Sequence, residues 1–145
     1  MVSGAGCVKA DVLVDGERIV AVGNAGLDPG SGPGGPDSWD VGDGERIDVS
    51  GKYLFPGFID GHTHMDLDVS DTVTIDGFDS GTRAEVAGGT TCIVDFATQN
   101  RGESLAYALE HWHGKADGKA NCDYAFHLAL SDWNESVSRE LGNVV

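Results

Sequence analysis

The sequence predicts an α/β protein in which a small β module precedes alternating strands and helices. Two observations carry this prediction. About the first fifty residues hold short β-branched runs between turn and loop residues, whereas the chain from Tyr53 alternates apolar runs of strand length with stretches of helical periodicity. The order β-α-β-α-β-α implies parallel strands joined by right-handed crossovers.

The β module is predicted to begin with a hairpin. Residues 11–22 contain two short β-branched runs around Asp15-Gly16, and Asp-Gly is a strong hairpin turn signal. The Gly-, Pro- and Ser-rich stretch at 28–37 can bury nothing and is predicted to be a flexible loop. A third short strand is predicted at 46–49, which would complete the elements of the module.

The rest of the chain is predicted to hold three strands, each followed by a helix. The second helix is the clearest, because its apolar residues recur at spacings of three and four and share one face. Those residues are Leu105, Leu109, Trp112 and Ala116. Gly88-Gly89 is a C-terminal stop signal for the first helix. We place the strands at 53–64, 90–97 and 124–130 and the helices at 76–87, 103–116 and 134–144.

Composition excludes several classes of function. The 24 Asp and Glu against 9 Lys and Arg give a net charge of −15, which argues against nucleic-acid binding. No apolar run approaches the roughly 18 residues of a membrane helix, and the start does not resemble a signal peptide, so we expect a cytoplasmic location. The scattered acids predict either an ordinary solvated surface or a protein adapted to high salt, where charge repulsion is screened.

His62-Thr63-His64 lies at the predicted carboxyl end of the first strand of the α/β part. Residues i and i+2 of a strand point to the same side, so both imidazoles face one way. Two imidazoles that converge at a strand end can bind a divalent metal such as zinc. A bare His-x-His pair is nevertheless a weak signal, and in an arbitrary sequence it is more often a surface pair.

The context of this pair resembles a known signature. Phe-Pro-Gly-Phe-Ile-Asp-Gly-His-Thr-His at 55–64 is similar to the Pro-Gly-x-Ile-Asp-x-His-x-His motif of the amidohydrolase superfamily. Within that superfamily, further segments resemble the hydantoinases and dihydropyrimidinases, and the Trp-His-Gly-Lys-Ala block is typical of this branch. These segments are 72–82, 87–97, 102–105, 112–116 and 123–127.

The resemblance implies a (β/α)8 metal-dependent hydrolase barrel, which takes about 250 residues in all. Residues 54–145 would form its first three βα units, and residues 1–53 would form an incomplete β-sandwich module. The family has a two-metal zinc centre, in which His62 and His64 would hold one metal. The bridging carboxylated lysine, two further histidines and the catalytic aspartate would all lie beyond residue 145, so no catalytic residue is expected within this chain.

The loop after the histidine pair is implied to shape the substrate pocket. By resemblance, Leu67 and Val69 would supply apolar pocket walls. Asp68 and Ser70-Asp71 stand where relatives usually carry a proline and a pair of glycines, so this wall departs from the family pattern.

Other polar residues have weaker assignments. Asp95, near the end of the second strand, is expected either to orient a metal-bound histidine or to make a structural hydrogen bond, and Asp60 has the same two readings. His127 is expected in the core or beside the metal ligands rather than as a ligand. His111 and His113 lie on the second helix and are expected to be exposed or packed.

We interpret the sequence as part of a cyclic amidohydrolase that opens a dihydropyrimidine or hydantoin ring to an N-carbamoyl amino acid. Its expected partners are a small cyclic ureide and further copies of itself, and the isolated chain is expected to be inactive. Three alternatives stay open. They are an allantoinase-like amidase, a non-catalytic relative similar to the collapsin response mediator proteins, and a relic fragment without activity.

Overall fold

The computed structural model describes residues 1–23, 39 and 43–144. The chain divides into two compact units, Met1–Pro56 and Gly57–Val145. The strands are β1 Val2–Ser3, β2 Gly6–Cys7, β3 Asp11–Asp15, β4 Arg18–Gly23, β5 Phe58–Thr63, β6 Asp68–Val69, β7 Thr72–Val73, β8 Thr90–Thr98 and β9 Asp123–Ala129. The helices are α1 Phe78–Gly88, α2 Leu105–Ala116 and α3 Glu135–Val144.

The first unit contains two antiparallel pairs, β1 with β2 and β3 with β4. The predicted hairpin is present, but its two-residue turn is Gly16-Glu17, one residue later than expected, since Asp15 pairs with Arg18. Gly16 has a φ of 57°, which suits a left-handed turn position. The predicted loop at 28–37 lies outside the described residues.

The strand predicted at 46–49 does not form, because residues 44–49 have no regular structure. None of the four strands described in the first unit pairs with this segment. Ile47 and Val49 are 73% and 41% exposed, so their alternation buries no face. A short β-branched run without a pairing partner gains neither ladder hydrogen bonds nor burial, and it stays irregular.

The second unit is a three-stranded parallel sheet in the order β5-β8-β9, with helices in the crossovers. The predicted sequence of strands and helices is therefore confirmed. The first strand begins at Phe58, five residues later than predicted, and every other bound differs from the prediction by at most two residues. The register of β8 with β9 runs without a shift from Cys92 opposite Asp123 to Thr98 opposite Ala129. The carboxyl ends of β5, β8 and β9 therefore lie at one edge, which is where α/β proteins bind ligands.

The core lies between one face of β8 and the helices. Ile93 and Ala97 of that strand are fully buried, and the buried hydrophobic cluster continues into the loop after β5 and into α1 and α2. Its other members are Met65, Phe78, Trp112 and Ala116. The alternate residues of β8 are half-buried rather than fully buried. A nearly continuous apolar run such as the one at 90–97 is typical of a strand buried on both faces, but in the described chain only one face of β8 is fully buried.

Helices α1 and α2 each have a local stop or start signal. Gly89 ends α1 in the left-handed conformation with a φ of 96°, as the glycine pair predicted. The Ser104 hydroxyl accepts a hydrogen bond from the Tyr107 N–H at the start of α2.

In the part of the chain that the structure describes, every helix is too short or too polar to cross a membrane.

Candidate metal centre

The site begins with an irregularity in β5. Asp60 pairs with Ile93, whereas Thr63 pairs with Asp95, so three steps along β5 match two along β8. Such a bulge bends the strand and re-aims its side chains. The Asp60 carboxylate accepts the His62 N–H at 3.0 Å inside this irregular segment. Thr63 is consequently buried, while His62 and His64 are exposed on either side of it.

The two imidazoles converge on one point. Their Nε2 atoms are 3.2 Å apart, and their rings are perpendicular with centroids 5.0 Å apart. Both rings pack against Phe96, with centroid distances of 4.6 Å and 5.1 Å. Two imidazole nitrogens bound to one tetrahedral zinc at about 2.0–2.1 Å lie about 3.3 Å from each other. The pair therefore fits two ligand positions of a single zinc ion.

Within residues 1–23, 39 and 43–144, no third histidine, cysteine or carboxylate joins the pair to make a group that could hold a metal ion. His127, on β9, reaches across β8 towards the pair. Its Nε2 lies 3.1 Å from the Gly61 carbonyl oxygen, and its ring centroid is 4.8 Å from that of Phe96. His127 is thus an exposed neighbour of the site and not a core residue.

Asp95 lies on β8 next to Phe96 and is fully buried. Its carboxylate accepts hydrogen bonds from the Thr63 hydroxyl at 2.9 Å, the Met65 N–H at 2.8 Å and the Phe96 N–H at 2.7 Å. Thr63 and Met65 flank His64, so Asp95 holds the Thr63 side chain before that residue and the Met65 backbone after it. The geometry favours this backbone role, and orientation of a metal-bound imidazole by Asp95 stays a prediction.

The loop after the pair carries the two predicted pocket residues. Leu67 is half-buried and packs against the hydrophobic cluster. Val69 is 48% exposed and lies in β6, which forms a small hairpin with β7. Ser70 begins the turn of this hairpin with a φ of 53°. The structure separates these two side chains, one inward and one outward, and their part in a substrate pocket stays a prediction.

Sequence reasoning missed two residues behind this loop, Lys115 and Asp66. Lys115 Nζ donates to the Asp66 carbonyl at 2.7 Å, and the Asp66 carboxylate accepts the Phe78 N–H at 3.1 Å. Lys115 is 49 residues from Asp66 in the chain, so no local pattern could pair them. The helical spacing of Trp112 and Lys115 was the one available signal, because it places Lys115 beside the buried face of α2. On the same helix, His111 is exposed and His113 is half-buried, as expected.

The fold and the site together define a class: a parallel α/β protein with paired imidazoles at the carboxyl end of a strand. No protein-family model matches the chain. It is 43% identical to the D-hydantoinase of Geobacillus stearothermophilus over 137 residues, which are 94% of this chain and 26% of that protein. It is 42% identical to the dihydropyrimidinase of Rattus norvegicus over 133 residues, 91% of this chain and 24% of that protein.

Among solved structures, the dihydropyrimidinase from Brevibacillus agri matches with a TM-score of 0.86 and 46% identity. That match covers 99% of this chain and 28% of the other. Over nearly all of its length the chain is similar to D-hydantoinases and dihydropyrimidinases. It spans about a quarter of the length of the relatives that it matches.

Proposed function

We propose that this chain forms the first part of a metal-dependent hydrolase that opens a cyclic ureide, a dihydropyrimidine or a hydantoin, to an N-carbamoyl amino acid. The observation that carries the proposal is the 3.2 Å approach of the His62 and His64 Nε2 atoms at the end of β5. The match to D-hydantoinases and dihydropyrimidinases supplies the reaction class.

In this proposal His62 and His64 hold one zinc ion through neutral imidazoles, because only the unprotonated nitrogen has a free lone pair. A metal there supplies Lewis-acid polarisation of an amide carbonyl and activation of water. The chain's own part is to orient the two donors: Asp60 and Asp95 fix the backbone around them, and Phe96 supports both rings. The ureide would lie over the carboxyl ends of β5, β8 and β9.

The proposal also assigns the larger architecture. The three parallel strands would be part of a (β/α)8 barrel, the first unit part of a β-sandwich, and the complete enzyme a cytoplasmic homo-oligomer. Two imidazoles fill two positions of a tetrahedral zinc, so the 145 residues alone should bind zinc weakly and hydrolyse no ring. The geometry of the pair favours an enzyme over a non-catalytic relative, because a relative without metal has no need to keep two converging donors.

A chimera tests the proposal. The residues of this chain replace the segment of the Geobacillus stearothermophilus D-hydantoinase to which they align, and hydantoin and dihydrouracil opening is measured with added zinc. We expect measurable turnover in the chimera and its loss on His62→Ala or His64→Ala. His111→Ala, at an exposed position of α2, is the matched control and should leave turnover unchanged.

Two results would contradict the proposal. One is a folded chimera that hydrolyses neither ring with zinc present, because the donors would then be unsuited to the reaction. The other is turnover that survives His62→Ala and His64→Ala together, because the pair would then be unnecessary. Circular dichroism of each chimera establishes that it is folded before turnover is compared.

A further inference from the structure

We propose that Lys115 is a positioning residue for the histidine pair: its ammonium group holds the turn that follows His64 and so fixes the backbone of that histidine. The proposal rests on the proposed function for the metal that the pair would bind. The contacts themselves are independent of any metal.

The Lys115 ammonium is enclosed by three groups. It donates to the Asp66 carbonyl at 2.7 Å, lies 4.1 Å from the centre of the Trp112 ring, and is 3.5 Å from the Asp68 carboxylate. Only 18% of the Lys115 side chain is exposed. A charge-assisted hydrogen bond and a cation–π contact are both strengthened when water is excluded, so this ammonium is held firmly against the carbonyl.

The carbonyl contact outweighs the ion pair. Asp68 is 68% exposed and its oxygen is at the long end of the range for an ion pair. Exposed ion pairs of this kind contribute little, because water and salt screen them. Lys115 therefore acts mainly through its hydrogen bond to the Asp66 carbonyl.

Asp66 occupies a turn that needs such support. Its φ is 51°, a left-handed conformation that is unfavourable for a residue with a side chain. Its N–H donates to the Asp76 carbonyl at 3.0 Å, and its carboxylate accepts the Phe78 N–H at the start of α1. A Cβ at Gly77 would lie 2.8 Å from the Asp66 carboxylate oxygens, so the close approach of this carboxylate to the backbone before α1 depends on glycine there.

The turn transmits this constraint to His64 through one residue, Met65. The Met65 N–H donates to Asp95, and its side chain is only 7% exposed within the hydrophobic cluster. The segment around His64 is thus held by Asp95 on the strand side and by Lys115 on the turn side. Loss of the Lys115 contact should loosen His64 more than His62, which lies within β5.

The experiment compares Lys115→Met, Lys115→Arg and Asp68→Asn with the unaltered 145-residue chain by amide hydrogen exchange and mass spectrometry. The N–H groups of Asp66, Leu67 and Thr74 are hydrogen-bonded in this segment and report its opening. Lys115→Met keeps the length of the side chain but removes the charge, so exchange of a peptide covering 65–74 should quicken about tenfold or more. Exchange in β8 should not change.

The two other variants separate the carbonyl contact from the ion pair. Asp68→Asn leaves the Asp66 carbonyl contact in place, so exchange should match that of the unaltered chain. Lys115→Arg keeps a cationic donor over Trp112 and should restore most of the protection. Equal exchange in Lys115→Met and the unaltered chain would overturn the proposal, as would an Asp68→Asn effect as large as that of Lys115→Met.

A zinc titration, in which binding is monitored by hydrogen exchange, distinguishes a role of Lys115 in positioning His64 from a role in the stability of the whole fold. We expect Lys115→Met to raise the zinc dissociation constant several-fold, with Lys115→Arg and Asp68→Asn near the unaltered value. An unchanged constant in Lys115→Met would show that Lys115 serves stability alone and would overturn the positioning role. If the unaltered chain binds no measurable zinc, since it supplies only two of the four ligands of a tetrahedral site, exchange of the 65–74 peptide decides the Lys115 proposal by itself, and the proposed function is decided separately by the chimera.

Discussion

Asp95 joins the two strands at the point where the site is built. Asp95 lies on β8. Its three hydrogen-bond donors are the Thr63 hydroxyl, the Met65 N–H and the Phe96 N–H, which are near the carboxyl ends of β5 and β8. One of its oxygens accepts from both Thr63 and Met65, and the other accepts from Phe96. A fully buried carboxylate is tolerated because these donors replace its lost hydration.

Asp95→Asn should therefore destabilise the chain by about 1–3 kcal/mol, since the new amide group must face an N–H donor whichever way it is turned. Urea unfolding monitored by tryptophan fluorescence measures the change. Asp60→Asn is the control, because Asp60 is only half-buried and is bonded to a single N–H. Equal losses of stability in the two variants would contradict the prediction, because the buried hydrogen bonds of Asp95 would then contribute no more than the single hydrogen bond of Asp60.

Tyr124 provides a prediction for alkaline pH. Its hydroxyl donates to the Asp117 carboxylate, and this hydrogen bond, followed by burial and by the negative charge of Asp117, raises the pKa of Tyr124. A raised pKa in the folded state stabilises the fold below the ordinary tyrosine pKa of about 10, and that stability is lost as the pH rises through the raised value.

Absorbance titration, taken as the difference between the unaltered chain and Tyr124→Phe, isolates the ionisation of this residue. We expect its midpoint above the ordinary tyrosine range, and we expect Asp117→Asn to move it downward. A Tyr124 midpoint that is insensitive to Asp117→Asn would contradict the assigned cause.

At this scale, the sequence predicted what local geometry controls. The convergence of His62 and His64 follows from the alternation of side chains along a strand, and the structure confirms that both lie on one side. The supporting contacts could not be predicted in the same way. Met65 and Asp95 are 30 residues apart, and Asp66 and Lys115 are 49 apart, so these contacts depend on how helices and strands pack.

At the scale of elements, the chain just before β5 lies very close to β8. A Cβ added at Gly57, just before β5, would overlap the side chain of Thr91 on β8. Thr91 is β-branched and short, so it cannot swing aside as a long flexible side chain would. The glycine before the first strand therefore permits the pairing of Phe58 with Thr90 that begins the parallel sheet.

Gly57→Ala should cost about 1–3 kcal/mol of stability through this overlap. Gly61→Ala is the matched control, because a Cβ at Gly61 on β5 meets no atom within 4 Å. Thermal melts of both variants measure the difference. A Gly57→Ala variant as stable as Gly61→Ala would show that β5 can shift away from Thr91 without loss of stability.

The elements that the sequence predicted are those with a periodic signal of their own. The helices of the second unit have apolar spacings typical of a helix, and its long strands have apolar runs of strand length. All of their bounds except the start of β5 lie within two residues of the predicted ones. The β6–β7 hairpin was missed, because strands of two residues show no alternation. The run at 46–49 has an alternating pattern, but no described strand pairs with it, and it forms no strand.

At the scale of the whole molecule, the main electrostatic feature is the net charge of −15. Mutual repulsion of the acidic groups opposes compactness, and salt screens it, with a screening length of about 10 Å at 0.1 M and about 3 Å at 1 M. If the surface is adapted to high salt, the melting temperature should rise by several degrees from low salt to multimolar KCl.

A variant with fewer acidic groups is the control for that melt. Glu17, Glu45 and Glu110 are exposed, and their replacement by lysine reduces the negative charge without touching the core. The rise with salt should be smaller in this variant. A melting temperature of the unaltered chain that stays flat or falls with KCl would contradict the adaptation.

The order of the parallel sheet has a consequence for how the chain is made. Each strand of the β5-β8-β9 sheet pairs with the next strand of the same sheet to be synthesised, while β6 and β7 form a separate hairpin between β5 and β8. A βαβ unit takes roughly 30 residues, so the ribosome releases the sheet one strand at a time, each able to dock on an edge already present. The topology therefore permits the sheet to grow in the direction of synthesis, with β5 and its His62 complete before β8 and the supporting Asp95 are made.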